Sequence, residues 1–137
     1  MGIIDDLKMQ YKTGGITLQL IFWNIGIAIP LFLLHAFSND GFLSLMSWIQ
    51  LTSDPSEFIV KPWTILTYSF LHVDVLHLLF NMIMLNFSGR LFLTFFTQKQ
   101  FLGLYLLGAI FAGLVFLGTF FLFGYKAPII GASGAIM

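Results

Sequence analysis

The sequence predicts an all-α membrane protein, a helical bundle of three transmembrane helices followed by the start of a fourth. Two observations carry that prediction. Of the 137 residues, 58% are hydrophobic and 9% charged, whereas a soluble domain is about 25% charged. A chain of this size buries only about two-thirds of its unfolded surface, so a soluble version would wear a largely apolar exterior, and lipid is its natural solvent. The apolar residues also gather into runs long enough to cross a hydrocarbon core, which takes about 20 helical residues.

Residues 1–15 read as a polar tail of mixed charge (Asp5, Asp6, Lys8, Lys12). The apolar run that follows is too long for the core of a signal peptide, which predicts a retained first span. That span covers about 16–37, ITLQLIFWNIGIAIPLFLLHAF, with Pro30 as a kink site. Its Asn24 and His35 have two readings, polar packing groups near a helix end or groups facing other helices. Residues 38–73 are too mixed to span, because Asp40, Asp54, Pro55, Glu57, Lys61 and Pro62 interrupt the apolar stretches. Trp48, Trp63 and Tyr68 are rings with a polar handle, suited to headgroup level, so the segment reads as an interfacial loop along one membrane face.

The second span covers about 74–96 and is apolar except for His77, Asn81, Asn86, Ser88, Gly89 and Arg90. Thr97 to Gln100 reads as a short polar turn. The third span covers about 101–123, where Gly108/Ala112 and Ala109/Gly113 are small-residue pairs that let helix backbones approach closely. Gly124 to Ile130 forms a loop, and GASGAIM opens a fourth helix at Ser133. A helix from Ser133 to Met137 is too short to cross a bilayer, so the sequence is expected to stop inside a fourth span, with 16–137 an incomplete membrane domain.

Lys8, Lys12, Arg90 and Lys99 fall on one side of this topology and Lys61 and Lys126 on the other. The positive-inside rule therefore predicts a cytoplasmic N-terminus, with the long loop and Ser133 near the outer face. The formal net charge is +0 and no basic tract is present, which argues against a nucleic-acid partner. Without cysteines, disulfides, thiolate chemistry and Cys-ligated metals are excluded.

Two features carry chemistry. His77 and Asn81 are one turn apart on one helix face, and together they read either as a helix-helix hydrogen-bonding pair or as donors aimed into one spot. Ser133 follows Gly131 and Ala132 and precedes Gly134. A glycine-flanked serine at a helix start reads either as an N-cap or as an approachable nucleophile beside backbone N–H groups that favour developing negative charge.

Taken together, HVDVLHLLFNM at the start of the second span and GASG opening the span after next resemble the rhomboid family of intramembrane serine proteases, from about Lys61 to Met137. The family has a six-span core, of which this would be the first half. The resemblance implies a serine endopeptidase that cuts transmembrane segments of other membrane proteins, with no metal or organic cofactor, in a bacterial-type plasma membrane. It implies that Ser133 is the nucleophile and that His77 and Asn81, with the Ser133 N–H, stabilise the oxyanion. Gly131 would be the motif's turn glycine, with His72 and Gly134 structural near the site.

The sequence departs from the family at three places. The family's base histidine lies on a sixth span, and the histidines here are His35, His72 and His77, so the sequence is expected to stop before that base and Ser133 to be idle in the chain as given. Where rhomboids often carry a Trp-Arg pair and a glutamate, this sequence has Trp63-Thr64 and Phe92. His77 acting as the base is one alternative. A non-catalytic superfamily adaptor that binds transmembrane segments is another, and a piece of an unrelated transporter a third.

Overall fold

The computed structural model describes residues 2–124 and 126–136. The chain is an all-α membrane bundle with one short two-stranded ribbon. Helix α1 (Ile3–Thr13) occupies the polar tail. Its apolar Ile3, Ile4, Leu7 and Tyr11 recur at helical spacing, and Tyr11 fixes it to the next helix. The Tyr11 ring meets Phe22 edge-on at 5.9 Å, and its hydroxyl accepts the Trp23 indole N–H at 3.1 Å.

Helix α2 (Gly15–Phe37) is the first of three helices long and apolar enough to cross a membrane. Helix α3 (Asn39–Ile49) follows at once, with the Ser38 hydroxyl accepting the Gly41 N–H as its N-cap. The chain then forms strand β1 (Leu51–Thr52), helix α4 (Pro55–Val60), helix α5 (Thr64–Thr67) and a 3-10 turn at Tyr68–Phe70. The long loop is therefore mostly short helices. Its tryptophans stack, Trp48 on Trp63 at 6.4 Å, with Lys61 above the Trp48 ring at 5.5 Å.

Helix α6 (Val75–Leu93) is the second apolar helix, capped by Asp74, whose carboxylate accepts the His77 N–H. The third, α7 (Gln98–Phe123), begins earlier than the sequence reading places its span. Thr97 and Gln100 form a reciprocal capping box, which satisfies free N–H groups of the first turn and makes the polar residues part of the helix. Gly124, at φ +69°, ends it in the left-handed conformation glycine tolerates. Strand β2 (Pro128–Ile129) pairs antiparallel with β1, Leu51 opposite Ile129, and α8 (Ser133–Ile136) closes the described chain.

Three apolar clusters hold the bundle. Leu20, Met82, Leu85, Phe101, Tyr105 and Ala132 join α2, α6, α7 and the turn before α8. Leu31, Phe42, Met46 and Leu71 seat α3 against α2, and Leu51, Tyr68 and Leu117 seat the long loop against α7. Helices α2 and α6 pack closely at Gly89, where any added Cβ would run into the Thr17 side chain. The Ile16 N–H donates to the Gln98 Oε1 at 3.1 Å and ties the starts of α2 and α7 together.

Asn24 is fully buried, and its Nδ2 donates to the Leu20 carbonyl one turn back. His35 is exposed and stacks on Phe42 at 4.5 Å.

Candidate functional site

His77, Asn81 and Ser133 line one cavity of about 230 Å³, whose remaining walls are Phe80, Met84 and Ile136. Two elements supply these polar groups. His77 and Asn81 come from the same face of α6, as their spacing requires, and the Asn81 Nδ2 donates to the His77 carbonyl at 2.8 Å. That bond uses one amide proton and holds the side chain, leaving the second N–H for another acceptor. Ser133 arrives from the other side as the first residue of α8, half-buried.

The turn before Ser133 depends on Gly131. Its φ of +113° lies outside the range side chains favour, and a Cβ there would sit 2.8 Å from both Cε1 and Nε2 of His77. The imidazole is thus packed on the Gly131 backbone. The Gly131 N–H donates to the Tyr68 carbonyl at 2.9 Å. Ala132 is fully buried, and its carbonyl accepts the N–H groups of Ala135 and Ile136. Gly134 is also cramped, with room for a Cβ limited by Ala112 at 3.0 Å and the Tyr68 hydroxyl at 3.1 Å.

His72 lies behind His77, the rings edge-on with centroids 5.0 Å apart. It is 1% exposed, and neither ring nitrogen has a hydrogen-bond partner among the described residues. Burial, followed by the neighbouring His77, lowers its pKa from 6.5 to about 4. The Phe70 carbonyl opposes the shift without forming a well-shaped hydrogen bond. His72 therefore sits beside the cavity as a neutral ring and is not among its lining residues. His35 lies apart from all of these, on the α2–α3 corner.

Sequence reasoning did not find Tyr68 as a site residue. Its ring is fully buried, its carbonyl holds Gly131, and its hydroxyl donates to the Ala109 carbonyl of α7 at 2.7 Å. A tyrosine in a segment rich in aromatics carries no local mark of such a role, because the partners are distant in sequence. Chemically, the cavity sets a hydroxyl opposite an imidazole and an amide within mostly apolar walls. In such surroundings hydrogen bonds to a developing oxyanion are strong.

The profile of the Rhomboid domain matches residues 60–137. No curated protein sequence matches the chain.

Proposed function

The chain belongs to the rhomboid family, an integral multi-pass membrane protein, and we propose that its cavity is the nucleophile and oxyanion half of an intramembrane serine endopeptidase site. The convergence of Ser133, His77 and Asn81 on one cavity carries this reading. In it the Ser133 Oγ attacks a peptide carbonyl of a transmembrane segment. The carbonyl oxygen, becoming an oxyanion, accepts hydrogen bonds from the free Asn81 N–H, the His77 ring and the Ser133 backbone N–H. Each such donor is worth about 10²- to 10³-fold in rate. Collapse of the tetrahedral species expels the amine and leaves an acyl-serine, which water then hydrolyses.

The proton acceptor for Ser133 is not assigned to His72, which is buried, or to His77, which is given the oxyanion. The family's base histidine has no counterpart among His35, His72 and His77, so Ser133 needs a base supplied to it. The same reading puts the N-terminus in the cytoplasm and Ser133 near the outer face, where water reaches an acyl-enzyme.

The test is modification by a fluorophosphonate of the membrane-embedded protein together with the base histidine that Ser133 needs. Labelling is expected on Ser133, abolished in Ser133→Ala and reduced in Asn81→Ala. Labelling that survives Ser133→Ala overturns the nucleophile. A protein that crosslinks to a transmembrane peptide but is never labelled supports the adaptor reading instead.

A further inference from the structure

The segment that delivers Ser133 is fastened to the long loop residue by residue before it reaches the cavity. Asp54 is 4% exposed. Its Oδ1 accepts both the backbone N–H and the hydroxyl of Ser56, at 3.0 and 2.8 Å, which caps α4. Its Oδ2 is sealed from solvent, and its partner among the described residues is the Lys126 ammonium. That ammonium, with the Ser56 bonds, holds the Asp54 carboxyl down at about 2.

The next residue is held twice. The Ala127 N–H donates to the Ser53 hydroxyl at 2.9 Å, and its carbonyl accepts the Ser53 N–H at 2.9 Å. Pro128 and Ile129 then pair with β1, and the Gly131 N–H meets the Tyr68 carbonyl. Two-residue strands are weak by themselves. A charge-assisted bond to a buried carboxylate, placed just before them, is the strongest fixed point in the series.

We propose that Ser53, Asp54 and Lys126 form a latch that positions Ser133 against His77 and Asn81. The latch acts through the β1–β2 ribbon and the Gly131 turn, and its residues are positioning residues with no contact to the reacting atoms. Its purpose rests on the reading of Ser133 as a nucleophile, but its geometry can be tested without catalysis.

The protein has no cysteine, so the pair Asn81→Cys and Ser133→Cys places two thiols on the cavity and nowhere else. In the membrane-embedded protein a mild oxidant is expected to join them. Adding Asp54→Asn, which keeps an oxygen on the Ser56 N–H but removes the charge, slows that crosslinking by about tenfold, the scale of losing a bond to a charged group. Lys126→Gln does the same and Lys126→Arg restores the rate, whereas Gln98→Ala, which loses the Ile16 N–H bond where α2 and α7 begin and lowers stability away from the ribbon, leaves the rate at the parent value.

Parent-rate crosslinking in Asp54→Asn and Lys126→Gln overturns the latch, as does a Lys126→Arg protein as slow as Lys126→Gln. Crosslinking slowed equally by Gln98→Ala also overturns it, in favour of plain stabilisation. Should Asp54→Asn fail to fold, the Lys126 variants decide, because that side chain is 64% exposed. Fluorophosphonate labelling is read separately. Crosslinking as expected in the cysteine pair, with no labelling of the protein that keeps Ser133 and Asn81, loses the protease reading and keeps the latch.

Discussion

Replacing Gly131 by alanine strikes both the backbone and the cavity, and the two costs can be separated. A φ of +113° lies well past the left-handed well near +57° that other residues enter at modest cost, and holding a side chain there costs about 1–3 kcal/mol. The new methyl would also sit 2.8 Å from the His77 Cε1 and Nε2. Ordinary carbon contacts begin near 3.5 Å, so the ring must give by about 0.7 Å. Turning it off its rotamer costs about 0.5–1.5 kcal/mol more. The expected total is about 1.5–4.5 kcal/mol of unfolding free energy, measured by titrating dodecyl maltoside micelles with SDS and following helicity. In a His77→Ala background the ring is gone, and Gly131→Ala is expected to cost only the backbone part. On the proposed chemistry the displaced imidazole would also slow fluorophosphonate labelling, by up to about 100-fold for a shift approaching 1 Å. A cost below about 0.5 kcal/mol would refute the strain argument. An equal cost with and without His77 would refute the packing of the ring on Gly131.

Three other measurements follow from the packing. Gly89→Ala pushes Cβ into Thr17 and is expected to cost about 1–3 kcal/mol by overpacking, with much of the loss recovered in Gly89→Ala/Thr17→Ala; purely additive costs would mean that α2 and α6 do not meet there. Tyr68→Phe removes the 2.7 Å bond to the Ala109 carbonyl and is expected to lower the unfolding free energy by about 1–2 kcal/mol, read by the same titration. His72 takes its proton near 4 in the folded protein against 6.5 unfolded, so between those values the unfolded chain binds more protons and stability rises with pH. The gain is at most about 3 kcal/mol and should vanish in His72→Phe, whereas an unchanged slope in that variant would assign the titration elsewhere.

The long apolar runs were legible because a bilayer demands continuous helix of a set length, and α2, α6 and α7 are such helices. The capping box at Thr97 and Gln100 was also written locally, in the T-x-x-Q spacing, although those residues read first as a turn. Helix α1 was written in the spacing of Ile3, Ile4, Leu7 and Tyr11, which the mixed charge of the tail obscured, whereas the contacts that fix it, to Phe22 and Trp23 of the next helix, were not legible locally. The β1–β2 ribbon is two residues wide on each side, too short for any periodic pattern. The small-residue reading of α7 located part of its packing: Gly113 faces Ile65 and Leu51, and Gly108 faces the Ala135 backbone. It did not locate the close approach at Gly89, which depends on a helix far away in sequence. At the cavity, the spacing of His77 and Asn81 showed a shared face, but not what packs there. The contact of His77 with Gly131 and the closed environment of His72 arise only when α7 turns the chain back.

That return explains why one buried tyrosine matters to a serine so far along the chain. A nucleophile on a loop can shift by an ångström without unfolding anything, so its placement must come from elements that cannot shift. Tyr68 ties the Ser133 turn to α7: its hydroxyl ends on the Ala109 carbonyl of that helix, its carbonyl holds the Gly131 N–H, and its hydroxyl lies against Gly134. The Tyr68 side chain crowds a Cβ at Gly113 and Gly134, and the His77 ring crowds one at Gly131. Small residues in this part of the chain therefore serve one end, the close seating of the Ser133 turn between the long loop and α7. It follows that bulk at Gly113, which has no contact with the cavity, should disturb Ser133 through Tyr68, whereas bulk at Gly103 or Gly118, where a Cβ meets nothing, should not.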